Sequence, residues 1–310
     1  MKSDPSSLKR VASIDIGTNT ILLLIAEVDK GRIKPLFERE TVVRLGERVH
    51  ENGILLKEAM RRGLQTLSQY LERCRAMEVQ EIFAVGTSAL REAKNSEDFL
   101  KLVEEKLDLS IEVISGEEEA QLSFLAVAKD LQEREKSIFV VDVGGGSTEF
   151  ILGRGDQISR WISLPLGSVR FTEEFLHSDP VQQEESNRME KKIRDLLVDI
   201  PYSREQLTMV AVGGTATTLA SVEQGLEDFI AERIHHFVLE KEALKNQLLL
   251  YRTKTIEERE KIPGLPMARA DVILAGAAIL YLTMEEVKCP SVLISCHGVR
   301  YGLIYKRLTL

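Results

Sequence analysis

Val140-Val141-Asp142-Val143-Gly144-Gly145-Gly146-Ser147-Thr148-Glu149-Phe150 decides how the rest of the chain is read. An apolar run from Ile138 to Val141 predicts a buried strand. It ends in an acidic residue, turns through Gly144, Gly145 and Gly146, and resumes as a second strand from Glu149 to Leu152. Glycines without Cβ let a turn bring several backbone N–H groups to one anion, and Ser147 and Thr148 add hydroxyl donors. Asp142, at the mouth of that loop, suits a hard cation on the far side of a bound phosphate. The same residues also describe a tight glycine hairpin with an acidic edge, and this stretch alone leaves both readings open.

Working outward, the pattern occurs a second time. Val11-Ala12-Ser13-Ile14-Asp15-Ile16-Gly17-Thr18-Asn19-Thr20 again predicts strand, Asp and small-residue turn, followed by a strand over Ile21–Val28. Asp15 and Asp142 hold the same place in the two copies. Each copy continues into a turn (Asp29-Lys30-Gly31; Gly153-Arg154-Gly155-Asp156) and a further strand. Two related halves, each offering a phosphate loop to a shared cleft, resemble the actin-like/sugar-kinase/Hsp70 ATPase superfamily. The expected fold class is therefore α/β, with two actin-like (ribonuclease H-like) domains and a mixed sheet in each.

Length and composition set the bounds. The 310 residues suffice for two domains, each with its own core, and 44% apolar with 29% charged residues describes a globular chain. No apolar run is long enough to span a bilayer, and Met1–Arg10 lacks a signal-type apolar core, so no membrane association and a cytoplasmic location are expected. With 41 basic and 49 acidic residues the formal charge is −8, which disfavours general nucleic-acid binding and gives no DNA partner. An anionic substrate stays open, because a few arginines and a divalent metal reverse the field locally. Cys74, Cys289 and Cys296 lack metal-type spacing and are expected as buried small hydrophobes.

Periodicity predicts helices over Lys57–Met77, Ser96–Leu107 and from Ser115 to about Asp130 in the first half, with strands at Arg32–Leu45, Glu81–Val85 and Ile111–Ile114. The second half repeats three strands to about Leu164. Helices follow at Val169–Leu176, Glu184–Ile200, Glu240–Tyr251, a long Met267–Val287 and Val299–Leu308, with strands at Leu207–Val212 and Ser291–Ser295. The repeat places the boundary near Gln121–Ala126. The first domain is then 1–123, joined by helix 299–310, and the second is 124–298.

Other stretches carry candidate chemistry. Gly213-Gly214-Thr215 is a third strand–glycine–helix junction, where amides and the helix dipole attract an anion. Glu117-Glu118-Glu119 sits at a helix start, where carboxylates are favoured whatever the function, and where one of them could also orient water. Phosphoryl transfer asks mostly for positioning and charge stabilisation. Arg91, in Gly86-Thr87-Ser88-Ala89-Leu90-Arg91, suits a bidentate phosphate contact or a surface ion pair. Arg44, Arg48, Lys94, Arg170, Arg269 and Arg300 are expected mostly as solvated charges. His235-His236, read as neighbours on a strand, point to opposite faces and argue against a metal site there. His50, His177 and His297 stand alone.

Taken together, these stretches resemble the exopolyphosphatase/guanosine pentaphosphate phosphohydrolase (Ppx/GppA) family. The likeness rests on Ala12–Asn19, Gly86–Arg91, Ile114–Ala120, Val141–Glu149, Leu164–Arg170, Gly213–Thr215, Arg269–Gly276 and Gly298–Gly302, in that order. It implies a Mg²⁺- or Mn²⁺-dependent hydrolase releasing terminal phosphate from inorganic polyphosphate, from pppGpp or from both, with guanosine penta- or tetraphosphate as a bound partner and a homodimer allowed. The resemblance implies Glu119 as general base, with Glu118 adjacent, and Arg91 neutralising transferred charge. Asp142, Glu149 and Asp15 become the metal positions. Gly17, Thr18, Asn19, Gly144, Gly145, Gly146, Ser147, Gly213, Gly214 and Thr215 become the phosphate cradle. Longer members carry a further C-terminal helical region with an HD-type domain. This sequence stops at Leu310, which gives a short or nucleotide substrate more weight than a long polymer. A kinase or ATPase of the same superfold, or a non-catalytic alarmone or polyphosphate sensor, shares the cradle. A glutamate after Ser115-Gly116 favours the hydrolase.

Overall fold

The computed structural model describes residues 9–29, 31–131, 135–202 and 207–310. Residues 1–8, and Lys30 of the first expected turn, lie outside that description. The chain divides into two compact units, one of Met1–Ser115 with Val299–Leu310 and one of Gly116–Gly298. The division falls at the start of the connecting helix rather than inside it, because that whole helix packs on the second unit's strands.

The first unit runs β1 (Lys9–Ile16), β2 (Thr20–Asp29), β3 (Arg32–Val42), α1 (Val49–Asn52), α2 (Lys57–Ala76), β4 (Glu81–Gly86), α3 (Ser88–Glu92), α4 (Ser96–Leu107) and β5 (Glu112–Val113). Its sheet order is β3-β2-β1-β4-β5, antiparallel across the first three strands and parallel from β1 to β4 to β5. Val11, Ala12, Ile14 and Ile16 of β1 are fully buried, as expected for a central strand covered on both faces. The buried face of α2 is Ala59, Leu67, Tyr70, Leu71 and Cys74, the three-and-four spacing of an amphipathic helix. Tyr70 donates its hydroxyl proton to the Ile21 carbonyl at 2.9 Å, so the ring is buried without leaving its polar tip unpaired.

The second unit runs α5 (Gly116–Leu131), β6 (Ser137–Val143), β7 (Thr148–Arg154), β8 (Gln157–Leu164), α6 (Ser168–Phe175), α7 (Gln183–Leu197), β9 (Leu207–Val212) and α8 (Gly213–Glu223). It continues with α9 (Ala231–Ile234), β10 (Val238–Glu240), α10 (Lys241–Thr253), α11 (Ile256–Arg259), a 3₁₀ turn (Met267–Arg269), α12 (Ile273–Glu286) and β11 (Ser291–Ile294). The sheet order is β10-β11-β9-β6-β7-β8. Stripped of β10, an antiparallel edge strand, it reads third-second-first-fourth-fifth in chain order, as in the first unit. The duplication seen in sequence is thus a duplication of topology.

One face of the second sheet is covered by a core that includes Phe139, Phe150, Met189, Leu219 and α12, and α5 covers the other through Ala120, Phe124 and Val127. α12 is buried nearly all round, which explains its many alanines. The last helix, α13 (Val299–Leu308), belongs to the first unit. Ser13 Oγ donates to the Arg300 carbonyl at 2.8 Å, and Arg300 pairs with Glu38 at 3.1 Å. Among the described residues no helix is long and apolar enough to cross a membrane.

Three expectations need correction. The long helix over Met267–Val287 is broken into the 3₁₀ turn and α12, and Arg269 is buried beside the break instead of solvated. Cys74 is buried, whereas Cys289 and Cys296 are partly exposed. His235 and His236 are not on a strand: α9 ends at Ile234, and His236 adopts φ 64°, in the left-handed region.

Candidate active site

The register of the β6–β7 hairpin builds the second unit's acidic cluster. Asp142 lies directly opposite Glu149, and Glu149 in turn lies opposite Ser163 of β8. Cross-strand partners share a face, so two carboxylates stand side by side, an arrangement that costs stability unless something offsets it. The hairpin tip is closed by the Gly144 amide donating to the Ser147 carbonyl at 3.0 Å. Ser147 Oγ and Ser163 Oγ donate to Glu149 Oε1 at 2.9 and 2.7 Å. Ser123 Oγ donates to Asp142 Oδ2 at 2.6 Å.

α5 supplies a third carboxylate. Of the acidic residues in its first turn, Glu117 is exposed and Glu118 half-buried, while Glu119 is buried. Burial pushes the Glu149 carboxyl well up, and the charges of Glu119 and Asp142 add to the rise; the two serine hydroxyls oppose it. Burial likewise raises Asp142, partly countered by Ser123. Ser123 and Ser163, which hydrogen-bond the candidate carboxylates, are residues that sequence reasoning missed. Ser123 stands one helical turn after Glu119, and Ser163 is visible only through strand register.

The loops are positioned by the backbone. Ser168 and Val169, opening α6, donate amides to the Gly144 and Gly145 carbonyls at 3.0 and 2.9 Å, and Arg170 Nε donates to the Gly146 carbonyl at 2.9 Å. Gly213 opens α8 directly after β9, whose Val212 is the register partner of Asp142. Its φ of +88° favours glycine, and a Cβ there would sit 2.9 Å from Asp142 Oδ1. The Arg269 guanidinium fills the space a Cβ on Gly214 would need. Thr215 is buried in the first turn of α8.

The remaining sequence candidates lie in the first unit. Gly17 closes its turn like Gly144, its amide donating to the Thr20 carbonyl at 2.9 Å. Asp15 matches Asp142, but its cross-strand partner is Leu22, so the acidic pair belongs to the second unit alone. Thr18 Oγ1 and both amide atoms of Asn19 are buried without a hydrogen-bond partner among the described residues. Arg91 is half-buried, with Nη1 donating to the Ile114 carbonyl at 3.0 Å.

Two units of one topology, each with an aspartate at the head of a tight glycine turn, define a two-domain protein of the actin-like class. A sequence profile of the Ppx/GppA phosphatase family matches residues 24–310, and the chain belongs to that family. The crystal structure of the Aquifex aeolicus Ppx/GppA family member is 35% identical, covers 98% of each chain and superposes with a TM-score of 0.82. An exopolyphosphatase from Cytophaga hutchinsonii is 27% identical over 97% of this chain and 98% of its own, with a TM-score of 0.89. A bifunctional 3-dehydroquinate synthase/phosphatase from Fusobacterium nucleatum is 37% identical over 281 residues. That match takes in 87% of this chain but spans only 42% of the relative's length.

Proposed function

We propose that this chain is an exopolyphosphatase, hydrolysing terminal phosphate from inorganic polyphosphate, the 5′-γ-phosphate of pppGpp, or both. The observation that carries the reading is buried Glu149, held between the charges of Glu119 and Asp142 with its carboxyl pushed well above the usual range. Like charges gathered out of water are costly unless a positive partner offsets them. An all-oxygen donor set fits a hard divalent cation, Mg²⁺ or Mn²⁺, which Asp142 and Glu149 would hold. Such a cation, when bound, would neutralise phosphate charge during transfer.

Within this reading Glu119 is the base. It orients a water toward the terminal phosphorus and takes the proton as the new O–P bond forms and the bridging P–O bond breaks. The shortened chain leaves as an oxyanion. Backbone amides of Gly145, Gly146, Gly213 and Gly214, with the hydroxyl of Thr215, cradle the phosphates. The buried Thr18 hydroxyl and Asn19 amide support a bound ligand as their partner, since an unsatisfied buried polar group costs about 1–3 kcal/mol.

The test compares turnover of long-chain polyphosphate, tripolyphosphate, pppGpp and ATP side by side with Mg²⁺. Phosphate release from polyphosphate or pppGpp is expected. Transfer from ATP to a sugar or acid without that release would replace the hydrolase by a kinase, and tight binding without turnover would replace it by a sensor.

A further inference from the structure

Away from the carboxylates, the second unit gathers three of its histidines on one aspartate. Asp130 stands in the last turn of α5, His235 and His236 follow α9, and His297 follows β11. His235 Nε2 lies 3.3 Å from Asp130 Oδ1 and His297 Nδ1 lies 3.6 Å from the same oxygen. His236 Nε2 lies 2.7 Å from Asp130 Oδ2. The ring centroid of His235 is 3.9 Å from that of His236 and 4.2 Å from that of His297. Backbone bonds hold the segments in place. The His236 amide donates to the Ile294 carbonyl at 2.7 Å, and the His297 amide donates to Ser295 Oγ at 3.1 Å.

An aspartate at a helix C-terminus sits against the negative end of the dipole, so this position favours a cation beside it. Burial raises the Asp130 carboxyl, but hydrogen bonds from His235 and His236 and the charge of His297 more than reverse that, leaving it at about 2. The ligand atoms of Asp130, His235 and His297 all lie within 4.8 Å of one another. Metal–ligand bonds of about 2.0–2.1 Å in a tetrahedron put neighbouring ligands roughly 3.3–3.4 Å apart, and the two Asp130 Oδ1 separations are close to that.

We propose that Asp130, His235 and His297 form a second cation site, taking one borderline transition metal such as Zn²⁺, with water completing its coordination. Two imidazoles and one carboxylate select such an ion over Mg²⁺, which prefers oxygen donors alone. His236, donating to the other Asp130 oxygen, is a positioning residue that orients the carboxylate. The Cys296 amide donates to His235 Nδ1 at 3.2 Å, so before metal uptake the neutral ring carries its proton on Nε2, facing Asp130. Binding at Nε2 moves that proton to Nδ1 and ends the Cys296 contact, with no net proton released by this ring.

The test uses the full chain, stripped with chelator and titrated with Co²⁺ in excess Mg²⁺, so that the carboxylate cluster is already supplied with a hard ion. One equivalent should bind and give the visible d–d absorption of a low-coordinate, nitrogen-ligated Co²⁺, displaced by Zn²⁺. The Cys296 amide resonance should shift on Zn²⁺ addition. D130N and H297Q should each weaken binding by at least tenfold and H236Q by about 10–100-fold, with phosphate release retained in H297Q. Circular dichroism and metal-free melting check that each variant is folded, and the wild-type spectrum stands without them. Failure of the wild type to take up Co²⁺ saturably, or uptake unchanged in folded D130N and H297Q, would overturn the site and leave a hydrogen-bonded knot only.

Discussion

Gly167→Ala separates space from conformation at the phosphate loop. Gly167 has φ −133° and ψ 153°, angles that any residue adopts, so its missing side chain matters for room alone. A Cβ there would fall on the backbone carbonyl of Gly145 and the carbonyl carbon of Gly146. Neither partner is a flexible side-chain tip that can swing away. Restoring ordinary carbon–carbon contact requires the loop or the start of α6 to retreat by roughly 1 Å. That movement strains the amide bonds from Ser168 and Val169 to the loop carbonyls, at 3.0 and 2.9 Å, and the 2.9 Å bond from Arg170 Nε. Overpacking of this kind costs about 1–3 kcal/mol, a loss that leaves most domains folded. A misplacement of about 1 Å costs catalysis about 100-fold. The assay is initial-rate phosphate release over a range of substrate concentration, paired with thermal melting. The expected result is a kcat/KM about 100-fold lower in a protein that still melts cooperatively. A folded variant within threefold of wild type would refute the idea that close approach of Gly167 positions the loop.

Further outcomes follow from the charges. Burial and neighbouring carboxylates hold Glu149 above its unfolded value, so its contribution to stability is present below that value and lost as pH rises through the folded one. Glu149→Gln should therefore raise the melting temperature of metal-free protein at neutral pH while abolishing Mg²⁺-dependent turnover; a lower melting temperature would contradict the assignment. Asp130 runs the other way. Held at about 2 from an ordinary 3.8, it stabilises above the unfolded value and loses that effect as pH falls toward 2. Asp130→Asn in chelator should lower stability at pH 6 and change it far less near pH 2, measured by denaturant titration. Ser123→Ala removes the hydroxyl donated to Asp142 and should raise the Mg²⁺ concentration needed for half-maximal rate, with kcat at saturation nearly kept.

Local pattern made much of the fold readable. Ser96–Leu107, Leu207–Val212 and Val299–Leu308 fall where the pattern put them, the helices because each has an amphipathic face and the strand because it is a continuous apolar run ending at Gly213. The break at Ala270–Val272 was hidden in an apolar, alanine-rich run that reads as uninterrupted helix. The three-residue β10 is too short to show alternation and exists through pairing with β11. Asp142 and Glu149 were legible from the glycine hairpin between them. Ser163 was not, because its place beside Glu149 is a fact of strand register. The histidine cluster joins residues more than a hundred positions apart in chain order, and the left-handed backbone at His236 defeats the strand alternation that the sequence suggests.

The most direct measurement is the rate of phosphate release from polyphosphate and pppGpp by Glu119→Gln in saturating Mg²⁺, against wild type. Loss of the base should lower kcat by about 10²–10⁴-fold while substrate still binds. A variant that turns over within a few-fold of wild type would show that Glu119 does not take the proton from the attacking water.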